Sequence, residues 1–254
     1  MIHRHLATLV ATSTLALGVL ATAAQADTRH TSLSEFDACL PLEDGRVVAA
    51  SGGGLVLVDK NDRVQQVFTA LDGLPATRSH ALALSDDGLW VGTERGAALV
   101  SLEANTIKVK KRVKSKAVRD LLVRDQSVYL GTWGQGVLEV RGEELRHLPR
   151  SKRSWKQRVT SLEWSDGALV WGSAGKGLWT HRKGRARRVA GIPADAMIWD
   201  VQDMNDALWI AGGEAVWRKG ESLRSHDVHG VRALSNQGDD IYFASFGSGL
   251  RTSS

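Results

Sequence analysis

The sequence predicts an all-β protein, a six-bladed β-propeller with about four antiparallel strands per blade. Three observations carry this expectation. A short pattern recurs as Leu89-Trp90-Val91-Gly92-Thr93, Val128-Tyr129-Leu130-Gly131-Thr132, Leu169-Val170-Trp171-Gly172-Ser173, Leu208-Trp209-Ile210-Ala211-Gly212 and Ile241-Tyr242-Phe243-Ala244-Ser245, with a degenerate first copy at Arg46-Val47-Val48-Ala49-Ala50. Its small anchoring residue is Ala49, Gly92, Gly131, Gly172, Ala211 and Ala244, at intervals of 43, 39, 41, 39 and 33. A period near ~40 built from short β-type segments is that of a propeller. Flanking columns agree: Cys39, Leu82, Leu121, Leu162, Val201 and Leu234 stand before the anchor, and Leu55, Ala98, Val137, Leu178, Trp217 and Leu250 after it.

Taken in order, the chain opens with the features of a secretory signal peptide. His3, Arg4 and His5 precede an apolar run from Leu6 to Ala21, and Ala24-Gln25-Ala26 offers a cleavage site. Cleavage between Ala26 and Asp27 is expected, with a periplasmic or secreted address. The apolar run is diluted by Thr and Ser, and no second stretch approaches ~18 apolar residues, so no membrane insertion is expected. Residues 27–254 are expected to form one propeller domain, as a monomer. The single cysteine, Cys39, shares a column with Leu and Val and is expected to be buried and inert.

Each copy divides into four strands. In the fourth, Arg158–Trp164 reads as the inner strand, then Ala168–Ser173, Gly177–Arg182 and Arg185–Ala190 outward. Asp166-Gly167 between the first two is a hairpin turn. Asp44-Gly45, Asp87-Gly88, Asp125-Gln126, Asn205-Asp206 and Asp239-Asp240 fall at the matching points. The last copy ends on a third strand from Gly249. Thr28–Leu33 is placed to supply its fourth and close the ring, which also hides an edge.

Thr69-Ala70-Leu71-Asp72-Gly73-Leu74-Pro75, the Leu82 strand, Asp87-Gly88-Leu89-Trp90-Val91-Gly92-Thr93 and Gly96 resemble the two-component regulator propeller repeat. The likeness is close over residues 68–99, in register but weaker over residues 115–215, and poor in the first and last copies. It implies a propeller of the extracytoplasmic sensor type, here free-standing. The repeat motif is structural and brings no catalytic residues with it.

Function is therefore sought on loops and in the channel. The longest polar connection, residues 149–158, holds Arg150, Lys152, Arg153, Trp155, Lys156 and Arg158 with no acid. Cations with an interleaved tryptophan suit an anionic ligand. Trp133 and Phe246 stand in turns where a ring has no evident core to fill, and Lys176 stands in the corresponding turn of the fourth copy. Overall the chain carries 33 Lys and Arg against 28 Asp and Glu, but residues 108–188 hold 21 against seven. Such a sector attracts polyanions. Lys108, Lys110, Lys111, Arg112, Arg185, Arg187 and Arg188 fall on outer strands, where cations block edge pairing.

Asp120 and Asp200 share a channel column with Ala38, Ala81, Ser161 and Ala233, and would be the carboxylates of a polysaccharide-acting lyase or hydrolase. His226 and His229 lack a partner at zinc spacing. No nucleophile elbow, zinc-protease or phosphate-loop motif is present. The expectation is an exported, non-catalytic recognition module for an anionic polysaccharide or an acidic protein partner. No cofactor, no metal and no specific nucleic acid are expected. A polysaccharide-acting enzyme and a protein-complex scaffold are the alternatives.

Overall fold

The computed structural model describes residues 33, 35–103, 106–148, 156–220 and 222–253. The expected signal peptide, its cleavage point and most of Thr28–Leu33 lie outside them. The described chain is a six-bladed β-propeller. Blades 1 to 5 are four-stranded antiparallel sheets over residues 36–68, 79–114, 118–148, 159–188 and 198–226, and blade 6 has three strands over residues 231–253. In each blade the first strand in sequence is innermost, and inner strands of consecutive blades pack side by side from Phe36–Pro41 to Val231–Gln237. The fourth blade runs Val159–Ser165, Ala168–Ser173, Gly177–Arg182 and Arg185–Arg188, one or two residues from the expected bounds.

The repeated pattern has two physical causes. Its final hydroxyl closes the turn to the third strand. Ser51, Thr93, Thr132, Ser173 and Ser245 each donate to the carbonyl of the glycine that opens that strand, at 2.7–3.0 Å. Its small residue lets the next blade approach. A Cβ on Gly92 would lie 2.9 Å from Val118 Cγ1, on Gly131 2.8 Å from Val159 Cγ1, and on Gly172 2.5 Å from Ile198 Cγ2. Each of these contacts is with the first residue of the following inner strand.

Pairing corrects the first copy by one residue. Ser51 pairs with Gly54 as Thr93 does with Gly96, so the anchor of blade 1 is Ala50, not Ala49. The residue opposite the anchor is Leu55, Ala97, Val137, Leu178, Val216 or Leu250. Two hairpins also shift by one, turning at Asp86-Asp87 and Gly238-Asp239. The first blade has a longer loop between Pro41 and Val47. Asp166-Gly167 and Asn205-Asp206 turn as read, all four residues at positive φ.

The Asp72-Gly73-Leu74-Pro75 segment links blades 1 and 2. Thr69 caps a short 3-10 turn over Ala70–Asp72, and Asp72 reaches back to the Thr69 backbone N–H at 2.9 Å. Gly73 ends the turn at φ +113, and its carbonyl accepts from Arg112 Nε at 2.6 Å. Leu74 then enters the apolar cluster between the first two blades.

Five such clusters join consecutive blades from the first to the sixth. Each fully buried Leu or Ile contributes on the order of 1.5–3 kcal/mol. Blades 3 to 6 are also clipped near the axis. Asp120 accepts from Leu162 N–H at 2.5 Å, Ser161 Oγ from Val201 N–H at 3.1 Å, and Asp200 from Leu234 N–H at 2.8 Å. Each bond crosses from one blade to the next. The other three column residues are alanines and make no such bond. Burial among the inner strands raises the Asp120 carboxyl to about 7, against the two backbone N–H groups that favour its charge.

No comparable apolar cluster among the described residues joins blade 6 to blade 1. Leu250, whose counterparts opposite the other five anchors are buried, is 68% exposed. Phe36 is 53% exposed where Val118, Val159, Ile198 and Val231 are fully covered. Cys39 is likewise exposed, which corrects the expectation that it is buried. Its column faces the preceding blade, as Leu121, Leu162, Val201 and Leu234 do, and for Cys39 no described residue of blade 6 forms an apolar cluster on that face.

Four outcomes follow from these contacts. Gly172→Ala should destabilise the protein by about 1–3 kcal/mol in urea titrations, because Ile198 must give way. Gly52→Ala, whose nearest neighbour would be 3.6 Å away, should stay within ~0.5 kcal/mol. The folded state holds the Asp120 proton more tightly than the unfolded chain, so that stabilisation is full below about pH 4 and fades as pH rises through about 7. The parent's stability relative to Asp120→Asn should therefore decline over that window; a constant difference would refute it. A maleimide reagent should label Cys39 stoichiometrically in the native protein, without denaturant.

Candidate functional site

At one end of the channel all six inner strands break register at the same point, between Phe36 and Ala38, Ser79 and Ala81, Val118 and Asp120, Val159 and Ser161, Ile198 and Asp200, and Val231 and Ala233. The extra residue of each bulge is Asp37, His80, Arg119, Thr160, Trp199 or Arg232. A β-bulge re-aims a side chain. Here the first five line one cavity of about 330 Å³ together with Trp133. The sixth, Arg232, lays its guanidinium 3.6 Å from the Trp199 ring centroid.

The mouth has two halves of different chemistry. On blades 1 and 2, His80 is almost wholly buried between two carboxylates, with Asp37 Oδ2 2.5 Å from Nδ1 and Glu94 Oε1 2.8 Å from Nε2. Arg78 joins this group through Glu94 at 3.9 Å and also pairs with Glu35 at 2.8 Å. On blades 3 to 6, arginines lie over tryptophans. Arg119 and Arg158 each stand 5.4 Å from the Trp133 centroid. Arg158 and Arg232 make no ion pair among the described residues. Arg119 bridges the halves, 3.7 Å from Glu94 Oε1, yet its buried Nε has no hydrogen-bond partner. An unmet buried donor costs about 1–3 kcal/mol, which an acceptor in the cavity would recover.

The structure brings Trp133 and Arg158 of the sequence-derived set together, through a β-bridge and the shared arginine stack. Lys156 and Lys176 are exposed at turns, and Phe246 is 82% exposed on blade 6; none of the three lines the cavity. Arg150, Lys152, Arg153 and Trp155 lie outside the described residues. Asp120 and Asp200 are occupied as inter-blade clips. His226 stacks on Trp209, and His229 meets Asp227 at 2.9 Å. Among the described residues no His, Cys, Asp and Glu cluster fit for a metal ion is found.

Sequence reasoning weighed the channel column and passed over its immediate neighbours. Yet the residue before each channel position is polar or aromatic in all six copies, and that was the available signal. The bulge that turns it inward has no sequence signature of its own.

No protein-family model matches the chain, and no curated protein matches it in sequence. Solved structures do resemble it. The extracellular domain of the one component system BT4673 from B. thetaiotaomicron is 16% identical, with a TM-score of 0.72 over 87% of this chain and 32% of that one. The extracellular domain of the hybrid two component system BT3049 from the same organism is 14% identical, with a TM-score of 0.71 over 87% and 33%. The computationally designed Ika8 protein is 16% identical, with a TM-score of 0.63 over 86% and 70%. This chain thus spans about a third of the length of the two bacterial chains. At these identities the likeness establishes the fold, and it is the propeller fold that the repeat resemblance implied.

Proposed function

We propose that this protein is an exported, non-catalytic recognition propeller that binds an anionic glycan at its channel mouth. The observation that carries the reading is the ring of bulged residues, one per blade, five of which line a cavity of about 330 Å³ while the sixth, Arg232, stacks on Trp199 at its edge. That is the scale of a small-ligand pocket. Arg119, Arg158 and Arg232 would take the acidic group. The faces of Trp133 and Trp199 suit a sugar ring, and Asp37 suits its hydroxyls.

The extracellular setting of the two bacterial structural neighbours and the signal-peptide features support an address outside the cytoplasm. The basic run that precedes Arg158 in sequence supports an anionic ligand. The size of the cavity favours a sugar unit over a protein surface. The engagement of Asp120 and Asp200 in clips between blades favours binding over catalysis.

Binding is tested by titrating uronic-acid and sulfated oligosaccharides against neutral ones. Binding of the acidic set should weaken steeply with salt, since screening falls to about 3 Å at ~1 M. Arg119→Ala and Trp199→Ala should each weaken it by about tenfold or more, and the pair Arg153→Glu with Lys156→Glu should also reduce it. The pair Lys110→Glu with Lys111→Glu on the outer strand should change it little. Equal losses at both pairs would replace a site with a diffuse charge effect. No binding at low salt would end the glycan reading.

A further inference from the structure

Blades 4 and 5 do not meet along their whole flank. Between them lies a groove of about 670 Å³ whose residues are separate from those of the channel mouth. Its cause is visible in one column. Two places before the anchor, the residue facing the next blade is Trp90 in blade 2, Tyr129 in blade 3 and Trp209 in blade 5, each packed into the cluster it shares with that blade. In blade 4 this residue is Val170. Blade 1 has a valine here too, Val48, but it is fully covered within its cluster. Beside Val170 the space that an aromatic ring takes in blades 2, 3 and 5 is unfilled, and Val170, Val189 and Leu208 form an apolar floor.

The rim is cationic. Arg182, Lys183, Arg185, Arg187 and Lys219 line it against one acid, Asp166. None of the five makes an ion pair among the described residues. Edge protection alone does not explain their placement. Side chains alternate along a strand, so Arg185 and Arg187 share the face that lines the groove. Arg188 turns the other way, with its guanidinium 5.5 Å from the Trp179 centroid. Arg182 and Arg185 sit directly opposite each other across the hairpin, a like-charge pairing that is unfavourable until an anion lies between them.

We infer that this groove binds a small anionic amphiphile, with a phosphate-type head held by the Arg182–Arg187 rim and an apolar body on Val170, Val189 and Leu208. The occupant is a single molecule of pocket size, not a polymer. A volume of this order holds a head and a short chain. The inference is independent of the channel-mouth ligand, because the two sites share no residue.

The test is calorimetric titration of the full chain with n-octyl phosphate, kept monomeric, beside inorganic phosphate and a neutral octyl glycoside. One octyl phosphate should bind per protein, at least about tenfold more tightly than either comparison compound, which carry only the head or only the tail. Arg185→Glu with Arg187→Glu should weaken it about tenfold or more, while Lys110→Glu with Lys111→Glu should change it less than about twofold. Val170→Trp, which supplies the ring that blades 2, 3 and 5 carry at this place, should abolish octyl phosphate binding. Should that variant fail to fold, the paired surface variants decide alone. The inference is overturned if inorganic phosphate binds as tightly as octyl phosphate, if both charge-reversed pairs lose equally, if a folded Val170→Trp binds like the parent, or if no saturable binding is seen.

Discussion

The architecture depends on one close contact, repeated from blade to blade. The small residue on each second strand sits against the first residue of the next inner strand, as Gly92 does against Val118, Gly131 against Val159 and Gly172 against Ile198. At these three glycines a side chain would hold the sheets apart close to the axis, where they have least room. Apolar residues further out, such as Trp171, Leu178 and Ile210, then fill the space as the sheets diverge. Packing at interior density makes each such contact sensitive to a single methyl group.

The second feature of the interior is its asymmetry. Asp120, Ser161 and Asp200 clip blades 3 to 6 by backbone hydrogen bonds, while Ala38, Ala81 and Ala233 make no such bond at the remaining steps. The mouth above divides in a related way. Its blade 1 and 2 side sets His80 between Asp37 and Glu94, and its other side offers tryptophan faces with Arg158 and Arg232, which have no acidic partner among the described residues. A site of this kind orients a ligand that has both an acidic and a hydroxylated edge.

Most of the fold was legible because its constraints are local and repeated. The anchor glycines, the Ser or Thr that follows, and turns such as Asp166-Gly167 answer to sterics that act within one hairpin or between two adjacent strands. The displaced anchor at Ala50 was hidden because a longer first loop compensated for the shift, leaving Cys39 in its proper column. The exposure of Cys39 was not legible for a different reason. A column states which residue faces a neighbour, and only the assembled blades show whether that neighbour fills the space. The candidate site was legible in part. Trp133 and Arg158 stood out by type, but Asp37, His80, Arg119, Thr160, Trp199 and Arg232 share no chemistry. They are united only by a bulge, which depends on backbone pairing.

The exposed face that carries Leu250 and Phe36 changes how the molecule comes apart. Six blades joined by six equal interfaces would form a closed loop with no weakest point. Among the described residues the apolar interfaces number five, an arrangement with two ends in which each unit is held mainly by its neighbours. Such an array opens progressively from an end. Blade 6, held among the described residues on one side by the cluster it shares with blade 5 and with three strands there, is the natural starting point. Amide protection would then rise from blade 6 toward blades 3 and 4, whose centrally placed sheets would exchange last.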